Sequence, residues 1–143
     1  MDDCLFCRIA AGNLPSAELY QDERVFAFLD IHPLRPGHTL LVPKRHTAKL
    51  EDASPEDAAA LIAAARRLTK ALGKATGATD ATLAIHNGPA AGQEVQHLHM
   101  HIVPRTKGDG GGPIHAAFKG TTTAASEDLH DLAIKVQRIV GGN

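Results

Sequence analysis

The chain has 143 residues, one domain on the usual range of about 100–200, and a core of that size buries about two-thirds of the unfolded surface without disulfides or metal. Lys+Arg is 15 and Asp+Glu 16, a net charge of −1 with His neutral, which excludes a bulk electrostatic pull toward nucleic acid or anionic membrane. The 43% hydrophobic, 22% charged and 3% aromatic fractions, with no Trp, describe an ordinary globular domain poorly equipped to stack single-stranded bases.

In chain order, residues 4–11 (Cys-Leu-Phe-Cys-Arg-Ile-Ala-Ala) read as a short helix stopped by Gly12 and Asn13, with Pro15 beyond. Leu19–Tyr20 and Val25–Leu29 read as strands around the turn Gln21–Arg24. His32-Pro33-Leu34-Arg35-Pro36-Gly37 is a loop by its Pro and Gly content, and Thr39–Val42 a buried strand ended by Pro43. Connections this short suit an antiparallel meander. Ser54-Pro55-Glu56-Asp57 starts a helix, with Ser as cap, Pro at the first helical position and acids in the first turn. Leu61, Ala65, Leu68 and Leu72 give it one apolar face, and Gly77 can stop it. Its basic residues Arg66, Arg67, Lys70 and Lys74 form a solvated face.

Residues 81–86 are the next strand, followed by the loop Asn87–Gly92 and then a histidine-rich strand. Residues 107–113 are a glycine-rich loop without a Walker lysine pattern. A final helix starts near Ser126-Glu127-Asp128 and carries Leu129, Leu132, Ala133, Val136 and Val140 on one face. The sum is an α+β fold of about five antiparallel strands and two main helices. It is expected as a single domain over 1–143, with a core at about 4–105 and a C-terminal loop and helix over 106–143. No apolar run reaches the roughly 18 residues of a membrane-spanning helix. The two cysteines, Cys4 and Cys7, are too few for a disulfide scaffold, and a cytoplasmic setting is expected.

The informative stretch is Gln93-Glu94-Val95-Gln96-His97-Leu98-His99-Met100-His101-Ile102-Val103-Pro104, in a chain with nine histidines. On a strand, His97, His99 and His101 share one face and Leu98, Met100 and Ile102 the other. The apolar set reads as core. Three imidazoles in register leave three readings: an idle histidine run, a metal site, or a nucleophilic imidazole supported by its neighbours. Gln93 and the glycine-rich turn before it offer amide and backbone N–H donors to phosphate oxygens.

This run resembles the His-φ-His-φ-His-φ-φ signature (φ apolar) of the histidine triad, or HIT, family. Gly92-Gln93 before it and Pro104-Arg105 after it are similar too, as are Cys4-Leu-Phe-Cys7-Arg-Ile, Phe28-Leu-Asp-Ile-His-Pro33 and Leu41-Val-Pro-Lys-Arg-His46. The likeness spans roughly residues 4–105 in order. It implies a homodimer of HIT-fold α+β subunits that hydrolyses or transfers nucleoside monophosphates. By the resemblance His99 is the nucleophile that forms a covalent nucleotidyl-histidine, flanked by His97 and by His101 near the phosphate, with Gln93 assisting. Asp30 corresponds to the acid that accepts from ribose hydroxyls. Ile31 would line the same pocket, Phe6, Ile9, Leu14 and Phe28 its apolar base wall, and Asn87, Gly92, Gln93 and His101 its phosphate end.

Cys4, Cys7, His46 and His97 match the family's zinc-binding subset, which implies structural zinc and no catalytic cofactor. The implied partners are a purine nucleotide and a second copy of the chain, with no nucleic-acid polymer and no membrane. Two positions depart from the pattern. His86 stands where many relatives have Asn, with Asn87 one place later, so either Asn87 makes the polar contact or His86 replaces it. Glu94 follows Gln93, where some branches carry a small hydroxyl. The implied activity is cleavage of nucleoside 5′-phosphoramidates or related nucleotidyl conjugates. Cleavage of dinucleoside polyphosphates, or a regulatory module that binds nucleotide without turnover, are the alternatives.

Overall fold

The structure, a computed structural model, describes residues 3–142. It divides into two units, one ending at Asp109 and the other beginning at Gly110. In the first unit the elements are α1 (Leu5–Ala10), β1 (Glu18–Gln21), β2 (Val25–Leu29), β3 (Thr39–Pro43), α2 (Pro55–Thr76), β4 (Asp80–Ala84) and β5 (Met100–Arg105). The strands form one antiparallel sheet in the order β1-β2-β3-β5-β4. The second unit contains a single turn of 3₁₀ helix and α3 (Ser126–Gly141), whose Leu129, Leu132, Val136 and Val140 are exposed. The expected α+β class, five antiparallel strands and two main helices, α2 and α3, is what the chain forms. Among the described residues, no helix is long and apolar enough to cross a membrane.

Strand alternation divides the core in two. Val25 and Ala27 of β2, Leu41 of β3, and Met100 and Ile102 of β5 pack with Leu61, Ala64, Ala65, Leu68 and Leu72 of α2. The intervening residues Phe26, Phe28, Leu40 and Val42 face the other side, where Phe6 and Ile9 of α1 cover them. Each buried Leu or Phe contributes about 2 kcal/mol of apolar transfer. Because Leu98, Met100 and Ile102 belong to the α2 side, His97, His99 and His101 are left on the α1 side.

Helix α2 is framed as its sequence dictates. The Ser54 hydroxyl accepts from the Asp57 N–H at 3.0 Å, Pro55 occupies the first turn, and Gly77 ends the helix at φ +79°. Two strands are shorter than expected. Regular pairing in β5 begins at Met100, because the Leu98 N–H turns to the Thr47 carbonyl at 2.7 Å. With no ladder beyond Met100 to join, β4 ends at Ala84, opposite His101, and Ile85–His86 leave the sheet.

Gly37 sets the entry to β3. Its φ is +88°, and a Cβ there would stand 2.9 Å from Thr76 Cγ2 and 3.0 Å from Pro104 Cγ. Gly37→Ala therefore combines left-handed strain with overpacking and is expected to lower unfolding free energy by about 3 kcal/mol in urea titrations. A loss below about 0.5 kcal/mol would contradict this packing.

Candidate functional site

Two clusters meet on the α1 side of the sheet, and His97 belongs to the first. Cys4 caps α1, its Sγ accepting from the Cys7 N–H at 3.4 Å, so both sulfurs lie at the start of that helix. His97 Nδ1 is 3.3 Å from Cys4 Sγ and 3.5 Å from Cys7 Sγ, while His46 Nδ1 is 3.3 Å from Cys7 Sγ. All four ligand atoms lie within 4.8 Å of one another. A tetrahedral site with metal–S near 2.3 Å and metal–N near 2.0 Å places its donors about 3.3–3.8 Å apart, so the spacing fits one cation. His97 Nε2 lies 2.7 Å from the Pro43 carbonyl. A carbonyl only accepts, so Nε2 carries the hydrogen and Nδ1 presents its lone pair to the sulfurs. Burial, together with the neighbouring Cys4, pushes the Cys7 thiol up to about 11. A cation would reverse that and hold both sulfurs as thiolates.

The second cluster lines a cavity of about 760 Å³. Phe6, Ile9, Leu14 and Phe28 make its apolar wall; Phe6 sits edge-on to Phe28 at 5.6 Å and to His99 at 5.0 Å. Ile31 is 84% exposed and stands at the open rim. The wall leads to Asp30, whose Oδ1 accepts from the His32 N–H at 2.8 Å and whose Oδ2 lies 3.7 Å from His38 Nε2. Gly92, Glu94, His86, His99 and His101 line the polar side.

Hydrogen-bond partners fix the tautomers. His99 Nδ1 lies 2.7 Å from the His97 carbonyl, so Nδ1 carries hydrogen and Nε2 keeps its lone pair with no protein partner among the described residues. His38 Nδ1 accepts from the Leu34 N–H at 3.1 Å, so its Nε2 carries hydrogen and donates to His101 Nδ1 at 2.9 Å. The hydrogen of neutral His101 is then on Nε2. The arrangement therefore presents a bare imidazole nitrogen on His99 beside an N–H donor on His101, with ring centroids 5.1 Å apart. Burial holds His99 and His38 below the ordinary imidazole value. Burial, aided by His99, His38 and His86, takes His101 down to about 4. These rings are neutral at pH 7, as a nucleophile or base requires.

The cavity thus gathers Phe6, Ile9, Leu14, Phe28, Asp30, Ile31, Gly92, His99 and His101, while Cys4, Cys7, His46 and His97 gather beside it. Two expected phosphate contacts lie elsewhere. The Gln93 side chain is buried, accepting from the Gly88 N–H at 2.8 Å and donating to the Ala48 and Val95 carbonyls at 2.8 and 3.1 Å. Its amide hydrogens are committed to holding the 88–95 loop, which removes it as a phosphate donor. Asn87 faces away, accepting from the Leu50 N–H at 2.8 Å and donating to Glu51 at 2.6 Å. His86 enters the cavity instead. The sequence reading missed His38; its place two residues before Leu40, the partner of His101 in the β3–β5 ladder, was the available signal.

The family model described as "HIT domain" matches residues 11–108. An adenylylsulfatase, HINT3, of Arabidopsis thaliana is 41% identical over 76% of this chain, and the match covers 55% of that protein, so the chain spans about half its length. An adenosine 5′-monophosphoramidase, hnt1, of Schizosaccharomyces pombe is 37% identical over 71% of this chain and 74% of its own. A crystal structure from Streptococcus mutans superposes with a TM-score of 0.87 at 38% identity, covering 98% of this chain and 87% of the other. A zinc-bound histidine triad family protein of Mycobacterium smegmatis gives 0.73 at 41% identity, covering 76% and 79%.

The depressed histidines set a pH dependence. Below about 6.5 the unfolded chain takes up protons that folded His101 refuses until about pH 4. More protons on the unfolded state means that stability falls as pH drops through this window. Urea midpoints at pH 7 and pH 5 should differ more for the wild type than for His101→Gln; equal differences would contradict the neutral, buried assignment.

Proposed function

The chain belongs to the histidine triad family, and on that premise we propose that it is a nucleotidyl hydrolase or transferase acting through His99. The observation that carries this reading is the tautomer of His99, with Nδ1–H tied to the His97 carbonyl and a bare Nε2 at the cavity wall. The phosphoramidase and adenylylsulfatase among the relatives both act on adenylyl groups by name, which favours a nucleoside 5′-phosphoryl substrate. The apolar wall of Phe6, Ile9, Leu14 and Phe28 takes a purine, and Asp30 accepts from ribose hydroxyls.

His99 Nε2 gives its lone pair to the α-phosphorus of a nucleoside 5′-phosphoramidate. The N–P bond forms as the phosphorus–leaving-group bond breaks, and the departing amine keeps the bonding pair and takes a proton from solvent. The positive charge on the substituted imidazole is spread through Nδ1–H to the His97 carbonyl, and His101 Nε2–H donates to a phosphoryl oxygen. Water then attacks phosphorus, gives up its proton to solvent, and the N–P bond breaks to release nucleoside monophosphate and neutral His99.

The sulfur and imidazole donors of Cys4, Cys7, His46 and His97 fit structural zinc, as the zinc-bound relative supports. The metal would hold α1 against the segment carrying His97, and no step of the chemistry passes through it. We extend the proposal to a cytoplasmic homodimer with a single-domain subunit, as the family resemblance implies.

The test follows AMP release from adenosine 5′-phosphoramidate, a dinucleoside polyphosphate and adenylyl sulfate, by wild type and His99→Ala, with zinc content measured for both. Wild-type turnover, a loss of about 10³-fold or more in His99→Ala, and one zinc per chain in both proteins are expected. Undiminished turnover in the variant would overturn the nucleophile, and failure on all three substrates would favour binding without catalysis.

A further inference from the structure

Helix α3 lies beyond residues 11–108, the stretch that matches the family model. The chain leaves its apolar stripe uncovered: Leu129, Leu132, Val136 and Ile139 are each 50–60% exposed. Ile134, on the opposite face, is the one residue of the helix that is partly buried. An amphipathic helix ordinarily turns its stripe toward a core, and here the stripe is turned to water.

The stripe has the spacing of a coiled-coil seam. Leu129 and Val136 take the a positions of a heptad and Leu132 and Ile139 the d positions. Asp128 and Lys135 then fall at g, and Ala133 and Val140 at e. Such a seam is covered by a second helix, and the flanking g and e residues decide its direction. A parallel partner would set Asp128 and Lys135 beside the e residues Ala133 and Val140, where no charge meets them. An antiparallel partner sets g beside g. With Leu129 opposite the partner's Leu132, Asp128 comes beside the partner's Lys135, and two-fold symmetry makes that contact twice. On the other flank Ala133 meets the partner's Ser126, and both are small enough for close approach. Sliding one helix by a heptad, so that Leu129 faces the partner's Ile139, would bring the two Lys135 side chains together. Among the described residues Asp128 and Lys135 make no ion pair within the chain, and both are exposed. Charge therefore selects one direction and one register, and the complement it selects is α3 itself.

We infer that α3 is a self-association element, pairing antiparallel with the α3 of a second copy of the chain. Leu129 packs against the partner's Leu132, and Asp128 pairs with the partner's Lys135. The inference rests on the homodimer reading above and names a segment outside the matched family domain that joins the two copies.

The test is fluorescence-detected sedimentation of the full chain, with far-UV circular dichroism to follow helix content. Leu132→Glu places a carboxylate in two seam layers and should raise the dimer dissociation constant about 100-fold. Asp128→Lys and Lys135→Asp each bring like charges together twice and should raise it about tenfold. The double variant, D128K with K135D, exchanges the charges and should return to within about threefold of wild type. The exchange also separates pairing from an effect on α3 alone. Asp128 sits in the first turn, where an acid suits the helix dipole, so fraying would leave the double variant no better than Asp128→Lys. The inference is overturned if Leu132→Glu dimerises as tightly as wild type, or if the double variant dimerises no more tightly than the single ones. A wild type that sediments as a monomer would overturn the homodimer reading, and this pairing with it. A dimer that none of the variants weakens would overturn the pairing alone.

Discussion

The hydrogen bond from His99 Nδ1 to the His97 carbonyl, at 2.7 Å, is the constraint on which the site depends. A neutral imidazole has one hydrogen for two nitrogens, so the carbonyl decides which nitrogen is bare. That carbonyl is held in place from both ends of its own residue. The His97 side chain is anchored through Nε2–H to the Pro43 carbonyl and through Nδ1 toward Cys4 and Cys7. The next amide, Leu98 N–H, is fixed to the Thr47 carbonyl. The cysteine–histidine cluster and the bare Nε2 of His99 are thus two consequences of one backbone segment, and the lower end of that segment leaves the sheet so that both can be built.

The rest of the fold delivers this segment. Alternation along β2, β3 and β5 commits one set of side chains to α2 and the other to α1. Phe6 shows how closely fold and site are joined, since its ring touches Phe28 in the core and both His97 and His99 at the site. The burial this produces holds His38, His99 and His101 below the ordinary imidazole value and so neutral at pH 7, and neutrality gives His99 its lone pair and His101 its ordered N–H. Desolvation here sets the protonation states of the site, at the expense of stability below neutral pH.

Local patterning was enough for much of this. The Ser54-Pro55 helix start, the Gly77 stop and the Leu98/Met100/Ile102 stripe are short-range rules, and the structure follows them. The resemblance brought Cys4, Cys7, His46 and His97 together, although they lie up to 93 residues apart. What escaped depends on how distant backbone meets. Gln93 looks like a phosphate donor until Ala48 is seen beside it. Asn87 and His86 are adjacent, and only the point at which β4 leaves the ladder decides which faces the cavity. His38 has no motif of its own; the β3–β5 pairing carries it to His101 across 63 positions.

The most direct test is the ring tautomer of His99, read from long-range ¹H–¹⁵N correlation spectra of ¹⁵N-histidine-labelled protein at pH 7. A protonated Nδ1 and an unprotonated Nε2 are predicted. An Nε2–H tautomer, or an imidazolium at that pH, would leave no lone pair facing the cavity and would contradict the account.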